Sequence, residues 1–149
     1  MAHYAELGLD NVVKRVLAVD TIQCMTPGGI EREEIGQAHL EKHHGGTWIK
    51  CSYNTVNGTH HNGGTPFRGN FPGKGWIYNS EHDIFHTPKP PGCDSWTLNT
   101  TTGIWEHPST AGDIPVLDYD AKQSGQIYEW DESAYQADNT TGWVLRTRS

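Results

Sequence analysis

The sequence predicts an α+β, β-rich protein, with an N-terminal strand-strand-helix-strand module followed by consecutive antiparallel β-hairpins. Three observations carry this expectation. An aromatic or apolar pair two apart, Asn or Asp, a polar stretch and a further aromatic recur in the second half. The unit reads Trp76-Ile77-Tyr78-Asn79 to Phe85, then Trp96-Thr97-Leu98-Asn99 to Trp105, and imperfectly Tyr128-Glu129-Trp130-Asp131 to Trp143. In the N-terminal third, two short apolar runs precede one helix-like segment, and a third run follows it. Seventeen Gly and eight Pro punctuate the 149 residues at the density that short strands and turns require.

Taken in order, residues His3 to Leu7 and Val12 to Val19 read as a hairpin across Gly8-Leu9-Asp10-Asn11. The unalternated Val16-Leu17-Ala18-Val19 implies an end covered on both faces. Thr26-Pro27-Gly28-Gly29 breaks the pattern, and a helix over about Glu31 to His44 follows, with Glu31, Glu33 and Glu34 in its first turn and Gly45-Gly46 as its stop. Its weak apolar stripe is Ile35, Ala38 and Leu40, filled out by His39 and His43. The segment Thr47 to Tyr53 is a strand with Trp48 on one face and Ile49 on the other. One helix cannot cover both faces of such a sheet.

This organisation divides the chain into an N-terminal module over 1–53, a Gly/His-rich loop over 54–75 and a hairpin region over 76–149. Phe67 and Phe71 are the large apolar residues of the loop, and they are expected to pin it to the body, with insertion into a neighbour as the alternative. Tyr78 to Phe85 and Leu98 to Trp105 are each seven residues apart, the spacing of opposed residues around a four-residue loop. Alternation then places Trp76, Tyr78 and Phe85 on one face, and Trp96, Leu98 and Trp105 on one face. Trp76, Trp96 and Trp105 are expected to form a core between the hairpins. Pro108 to Gly125 is a connector with Ile114, Pro115, Val116 and Leu117 at its centre. If Trp130 opposes Trp143, a long tip over Glu132 to Thr141 results, carrying Tyr135. Tyr135 and Tyr128, on this outer hairpin, are the candidates for partner contact, together with Phe67 and Phe71.

Composition excludes several function classes. A formal charge of −7 with small basic clusters, Lys14-Arg15 and Arg146 with Arg148, argues against a nucleic-acid binder. The opening Met-Ala-His-Tyr-Ala-Glu lacks the pattern of a signal peptide, and no run approaches a membrane span, so a soluble protein made in the cytoplasm is expected. Cys24, Cys51 and Cys93 are odd in number and lack C-x-x-C spacing, as reduced packed thiols would. His39-Leu40-Glu41-Lys42-His43 resembles a zinc-protease helix, but Leu40 stands where the general base belongs. Loop and turn histidines His60, His61, His82 and His86 could meet in space around zinc or another transition metal, which sequence distance alone does not show, and the bound-metal reading is the minor one. Neither a nucleophile elbow nor a phosphate-binding loop is present. The expectation is therefore no catalytic residue, no metal and no cofactor.

Further short motifs run along nearly the whole chain. They include the opening hexapeptide with Val12-Val13 to Asp20, Gly45-Gly46-Thr47-Trp48, Ser52-Tyr53-Asn54-Thr55 and Gly64-Thr65-Pro66-Phe67-Arg68-Gly69-Asn70. Pro88-Lys89-Pro90, Ser95-Trp96-Thr97-Leu98-Asn99 and Trp105-Glu106-His107-Pro108 complete the series. In this ordered series the chain resembles a family of small proteins encoded by tailed phages of marine cyanobacteria. The resemblance implies a non-enzymatic virion structural protein, tail- or fibre-associated or head-decorating, present in many copies in a symmetric assembly with other virion proteins. The rival expectation is a carbohydrate-binding module that contacts the host envelope, since Trp and Tyr on hairpins also make platforms for sugar rings.

Overall fold

The computed structural model describes residues 1–147; Arg148, placed above in a basic cluster, lies outside them. The architecture is mixed α+β, as predicted, with three helices and several antiparallel hairpins. The chain divides into two units, residues 1–88 with 99–104, and residues 89–98 with 105–147.

In the first unit, β1 (Ala2–Leu7), β2 (Val13–Val19) and β3 (Thr47–Cys51) form an antiparallel sheet in the order β2-β1-β3. Asp10 and Asn11 turn the β1–β2 connection with φ of 56° and 59°, which a short polar side chain tolerates better than a branched one. Helix α1 (Glu33–His44) covers one face of the sheet. Under it lie Ala2, Tyr4, Val19, Cys24, Leu40 and Trp48. The buried helix positions are Gly36 and Leu40, whereas Ala38 and His43 are exposed. The helix therefore meets the sheet through a notch, and of the expected stripe Leu40 lies at the contact, Ile35 and His39 are half-buried, and Ala38 and His43 stand outside it. Tyr4 is fully buried in that notch, and its hydroxyl donates to the Glu33 carbonyl at 3.2 Å.

The other face of the sheet holds a second core of Ala5, Leu7, Val13, Cys51 and Phe85, with Val16, Ile49, Phe71, Trp76 and Tyr78 packed around it. Trp48 and Ile49 thus serve opposite cores, as their adjacency in a strand requires. Phe85 comes from the first repeated hairpin, β6 (Ile77–Asn79) and β7 (Ile84–His86), whose register sets Tyr78 opposite Phe85 and Asn79 opposite Ile84. That is the register the seven-residue spacing predicts. The hairpin joins the sheet through backbone bonds between Val13 and the Gly75-Trp76 segment, at 2.7 and 2.8 Å. One half of the expected double cover of β2 fails: Leu17 and Val19 face the first core and Val16 the second, but Ala18 lies beyond the second core and is exposed.

The 54–75 segment is not wholly loop, since β4 (Thr55–Val56) and β5 (Thr59–His60) pair within it. Asn70 anchors it. This side chain, 3% exposed, donates through Nδ2 to the carbonyls of Phe85 (3.0 Å) and Thr102 (2.9 Å), and its Oδ1 accepts from the Asn57 N–H at 2.8 Å.

The second repeated hairpin is β8 (Thr97–Asn99) with β9 (Ile104–Glu106). In the second unit, α2 (Tyr119–Gln123) precedes the ribbon of β10 (Gln126–Trp130) and β11 (Trp143–Thr147), in which Trp130 opposes Trp143 as predicted. The intervening tip departs from expectation. It contains helix α3 (Glu132–Ala137), started by the Asp131 carboxylate, which accepts from the Ala134 N–H at 2.9 Å. The expected single core of Trp76, Trp96 and Trp105 is also absent: Trp76 belongs to the second core of the first unit, Trp96 and Trp105 to the second unit.

Candidate binding surfaces

Phe67 and Phe71 both face the body of the first unit. Phe71 packs against the second core and meets His3 and Tyr53 edge-on, with ring centroids 5.6 and 6.4 Å away. Phe67 lies under two cations, the Arg68 guanidinium at 4.7 Å and the Lys50 ammonium at 5.9 Å. Phe67, His3, Tyr53 and the Lys50–Glu31 ion pair (2.7 Å) line an open cavity of about 310 Å³. Burial, and then the nearby N-terminal ammonium, lower the His3 pKa and favour its neutral form. Burial pushes the Cys51 thiol at this cavity up to about 12, which favours its protonated form.

Arg68 is the electrostatic centre of the unit and escaped sequence reasoning. Its guanidinium donates to Glu33 at 2.9 Å, to the Lys50 carbonyl at 2.8 Å and to Asp83 at 2.7 Å, tying helix, sheet and hairpin turn together. Asp83 also accepts a short hydrogen bond from the Tyr78 hydroxyl. Burial, and then that bond, push the Tyr78 pKa up to about 12. A lysine ammonium cannot span all three acceptors. Arg68→Lys is expected to cost about 1–3 kcal/mol in urea unfolding, and an unchanged midpoint would refute the role given to the guanidinium fork.

The second unit holds an aromatic cluster. Trp130 meets Trp143 at 5.3 Å and 77°, and Trp96 at 5.7 Å and 81°, both edge-to-face. His107 sits against all three indoles, 5.1 Å from Trp143, 5.7 Å from Trp96 and 6.0 Å from Trp130. Tyr135 folds back from α3 and stacks obliquely on Trp130, with centroids 5.5 Å apart at 40°. Tyr128, half-buried on β10, pairs with Leu145 across the ribbon, away from the Tyr135 contact in sequence and register.

Glu132 organises the ground beside Tyr135. Its Oε1 accepts from the Ser95 N–H (3.0 Å), the Ser95 hydroxyl (2.8 Å) and the Trp130 indole N–H (3.1 Å), while Oε2 accepts from Gln136 at 2.7 Å. These donors, Gln136 first and then the Ser95 backbone, lower the Glu132 pKa from 4.5 to about 2. Because the folded pKa is depressed, the stability this carboxylate contributes is present above the unfolded value and is lost as pH falls from about 4.5 towards 2. A carboxyl-carbon NMR titration is expected to place its midpoint near 2; a midpoint at the ordinary value would remove Glu132 from this role.

Tyr135 and His107 line a cavity of about 440 Å³ together with Ser95, Thr97, Glu106 and the 108–110 turn. Among the described residues, no group of three or more His, Cys, Asp or Glu is arranged to hold a metal ion, and no helix is long and apolar enough to cross a membrane. His39 and His43 do meet on one helix face, ring centroids 4.6 Å apart, but among the described residues no third ligand joins them.

No family model, curated protein or solved structure matches the chain.

Proposed function

We propose that the chain is a non-enzymatic structural component of a tailed-phage particle, a tail- or fibre-associated or head-decorating module held in many copies by other virion proteins. The observation that carries this reading is the β10–β11 ribbon, a two-stranded sheet with no third described strand on either side. A hairpin of this size is marginal in isolation, and unpaired edges are templates for a neighbour's strand. Repetition around a particle axis satisfies such edges in every copy. Apolar side chains left in water point the same way: Val116 is 91% exposed, Tyr119 74% and Ile114 51%. The resemblance to small proteins of cyanobacterial phages supplies the particle. Quantitative mass spectrometry of density-purified phage particles encoding this chain tests the reading. The expected result is a fixed multi-copy ratio to the major head or tail protein; absence from intact particles would overturn it.

A further inference from the structure

We infer that the cavity of the second unit beside Tyr135 is a binding site for a neutral saccharide. This goes beyond a structural role and holds whether or not the chain resides in a particle.

Chemistry of the walls decides the ligand class. Thr97, Ser109 and Thr110 bring hydroxyls to the cavity that can donate and accept, and Ser95, whose proton goes to Glu132, brings one that accepts. Glu106 adds a carboxylate that accepts only, and among the described residues no ion pair engages it. Among the described residues no lysine or arginine lines the space, so a phosphate or carboxylate ligand would meet Glu106 without a counter-charge there. A purely apolar ligand would leave the Thr97, Ser109 and Thr110 hydroxyls and the Glu106 carboxylate without a partner on that side. A pyranose satisfies both halves of the site: its hydroxyls exchange hydrogen bonds with the rim, and its C–H face lies on an aromatic ring. At about 440 Å³ the cavity falls within the usual range of small-molecule sites and accommodates a mono- or disaccharide.

The walls are also held in place before any ligand arrives. Tyr135 is backed by Trp130, which is itself wedged against Trp96 and Trp143. Glu132, one helical turn before Gln136, fixes Ser95 by accepting from both its N–H and its hydroxyl, which leaves the Ser95 oxygen lone pairs for a sugar hydroxyl. His107 bonds through Nε2 to the Gly112 carbonyl at 2.9 Å; with Nε2 carrying the proton, Nδ1 remains an acceptor. A site whose aromatic backing, through Trp130, and whose Ser95 wall are both tied to the Glu132 carboxylate loses little freedom there on binding.

The test is ligand-observed NMR and calorimetry on the full chain. The probes are glucose, galactose, N-acetylglucosamine and their β1,4-linked disaccharides, with glucose 6-phosphate as the anionic control. At least one neutral sugar is expected to bind and to shift the amides of Ser95, Thr97 and Tyr135. Glucose 6-phosphate is expected to bind more weakly than glucose. Tyr135→Ala is expected to weaken binding by about tenfold or more, while Tyr135→Phe retains it, because the ring face and not the hydroxyl does the stacking. Glu106→Gln and Thr97→Val, at exposed positions, keep the fold and are each expected to weaken binding severalfold. Three results would each overturn the assignment: no neutral sugar binding at millimolar concentration, binding unaffected by Glu106→Gln, Thr97→Val and Tyr135→Ala, or preference for the phosphorylated sugar. Loss of the protein from phage particles would leave the sugar result intact, and the reverse also holds.

Discussion

Asn70→Asp is expected to destabilise the first unit by about 3 kcal/mol or more at neutral pH, although it changes one amide nitrogen to oxygen. Asn70 Nδ2 donates to two carbonyls, those of Phe85 and Thr102, in a position 3% exposed. A carboxylate there would face both carbonyl oxygens with no proton to offer and would be buried without a counter-ion. The Asn57 N–H bond to Oδ1 survives and cannot offset that loss. The deficit should shrink in acid. Burial beside two acceptors raises the folded pKa of the introduced Asp, so the protonated form, which can donate to one carbonyl, relieves the penalty as pH falls. Urea midpoints of the variant and the parent, compared at the same pH across the acid range, provide the check. A constant gap would show that charge burial is not the cause.

Gly36→Ala is expected to cost about 2–3 kcal/mol, against the sign that helix propensity predicts. In an exposed helix the change would be favourable by about 1 kcal/mol. Here the added Cβ would fall on the Tyr4 hydroxyl, 2.5 Å from Tyr4 Cζ and 2.9 Å from Cys24 Sγ. The ring has nowhere to retreat because Tyr4 is wholly buried between the helix and β1. Overpacking therefore outweighs propensity. Combining Gly36→Ala with Tyr4→Phe removes one of the overlapping atoms and should restore part of the loss, a coupling that independent sites would not show. A Gly36→Ala protein more stable than its parent would end the argument.

Much of the scaffold was legible because it is written in local spacing. The seven residues from Tyr78 to Phe85 specify a loop length and hence a register, and the structure has that register. Adjacent Trp48 and Ile49 announce a strand with two apolar faces, and both faces are covered. The remainder is decided by distant residues. Gly36 looks like a poor helix residue until Tyr4, 32 positions earlier, occupies its missing side chain. Asn70 sits in a run that reads as a polar loop, and nothing nearby reveals that its partners are the carbonyls of Phe85 and Thr102. Arg68 is likewise defined by Glu33 and Asp83, far away in sequence. One miss was local: Asp131-Glu132-Ser133-Ala134 carries a helix-starting carboxylate that a hairpin tip does not need. Of the candidate contact residues, Tyr135 comes to a cavity with polar partners, Phe67 lines another, and Phe71 and Tyr128 are packed within their own units.

The first unit is discontinuous, because it reclaims residues 99–104 after the chain has left it at Pro88. Shortening the gene cannot isolate it. A polypeptide stopped after Pro88 contains both N-terminal cores, yet it forfeits the Thr102 carbonyl that Asn70 requires and the close packing of Gly103 against Phe85 and Asn70. Such a fragment would be left with a buried donor and an open flank. Synthesis on the ribosome has the same constraint: the N-terminal half cannot complete itself until at least Ile104 has emerged, so its last hydrogen bond must wait for residues that belong to the hairpin repeat.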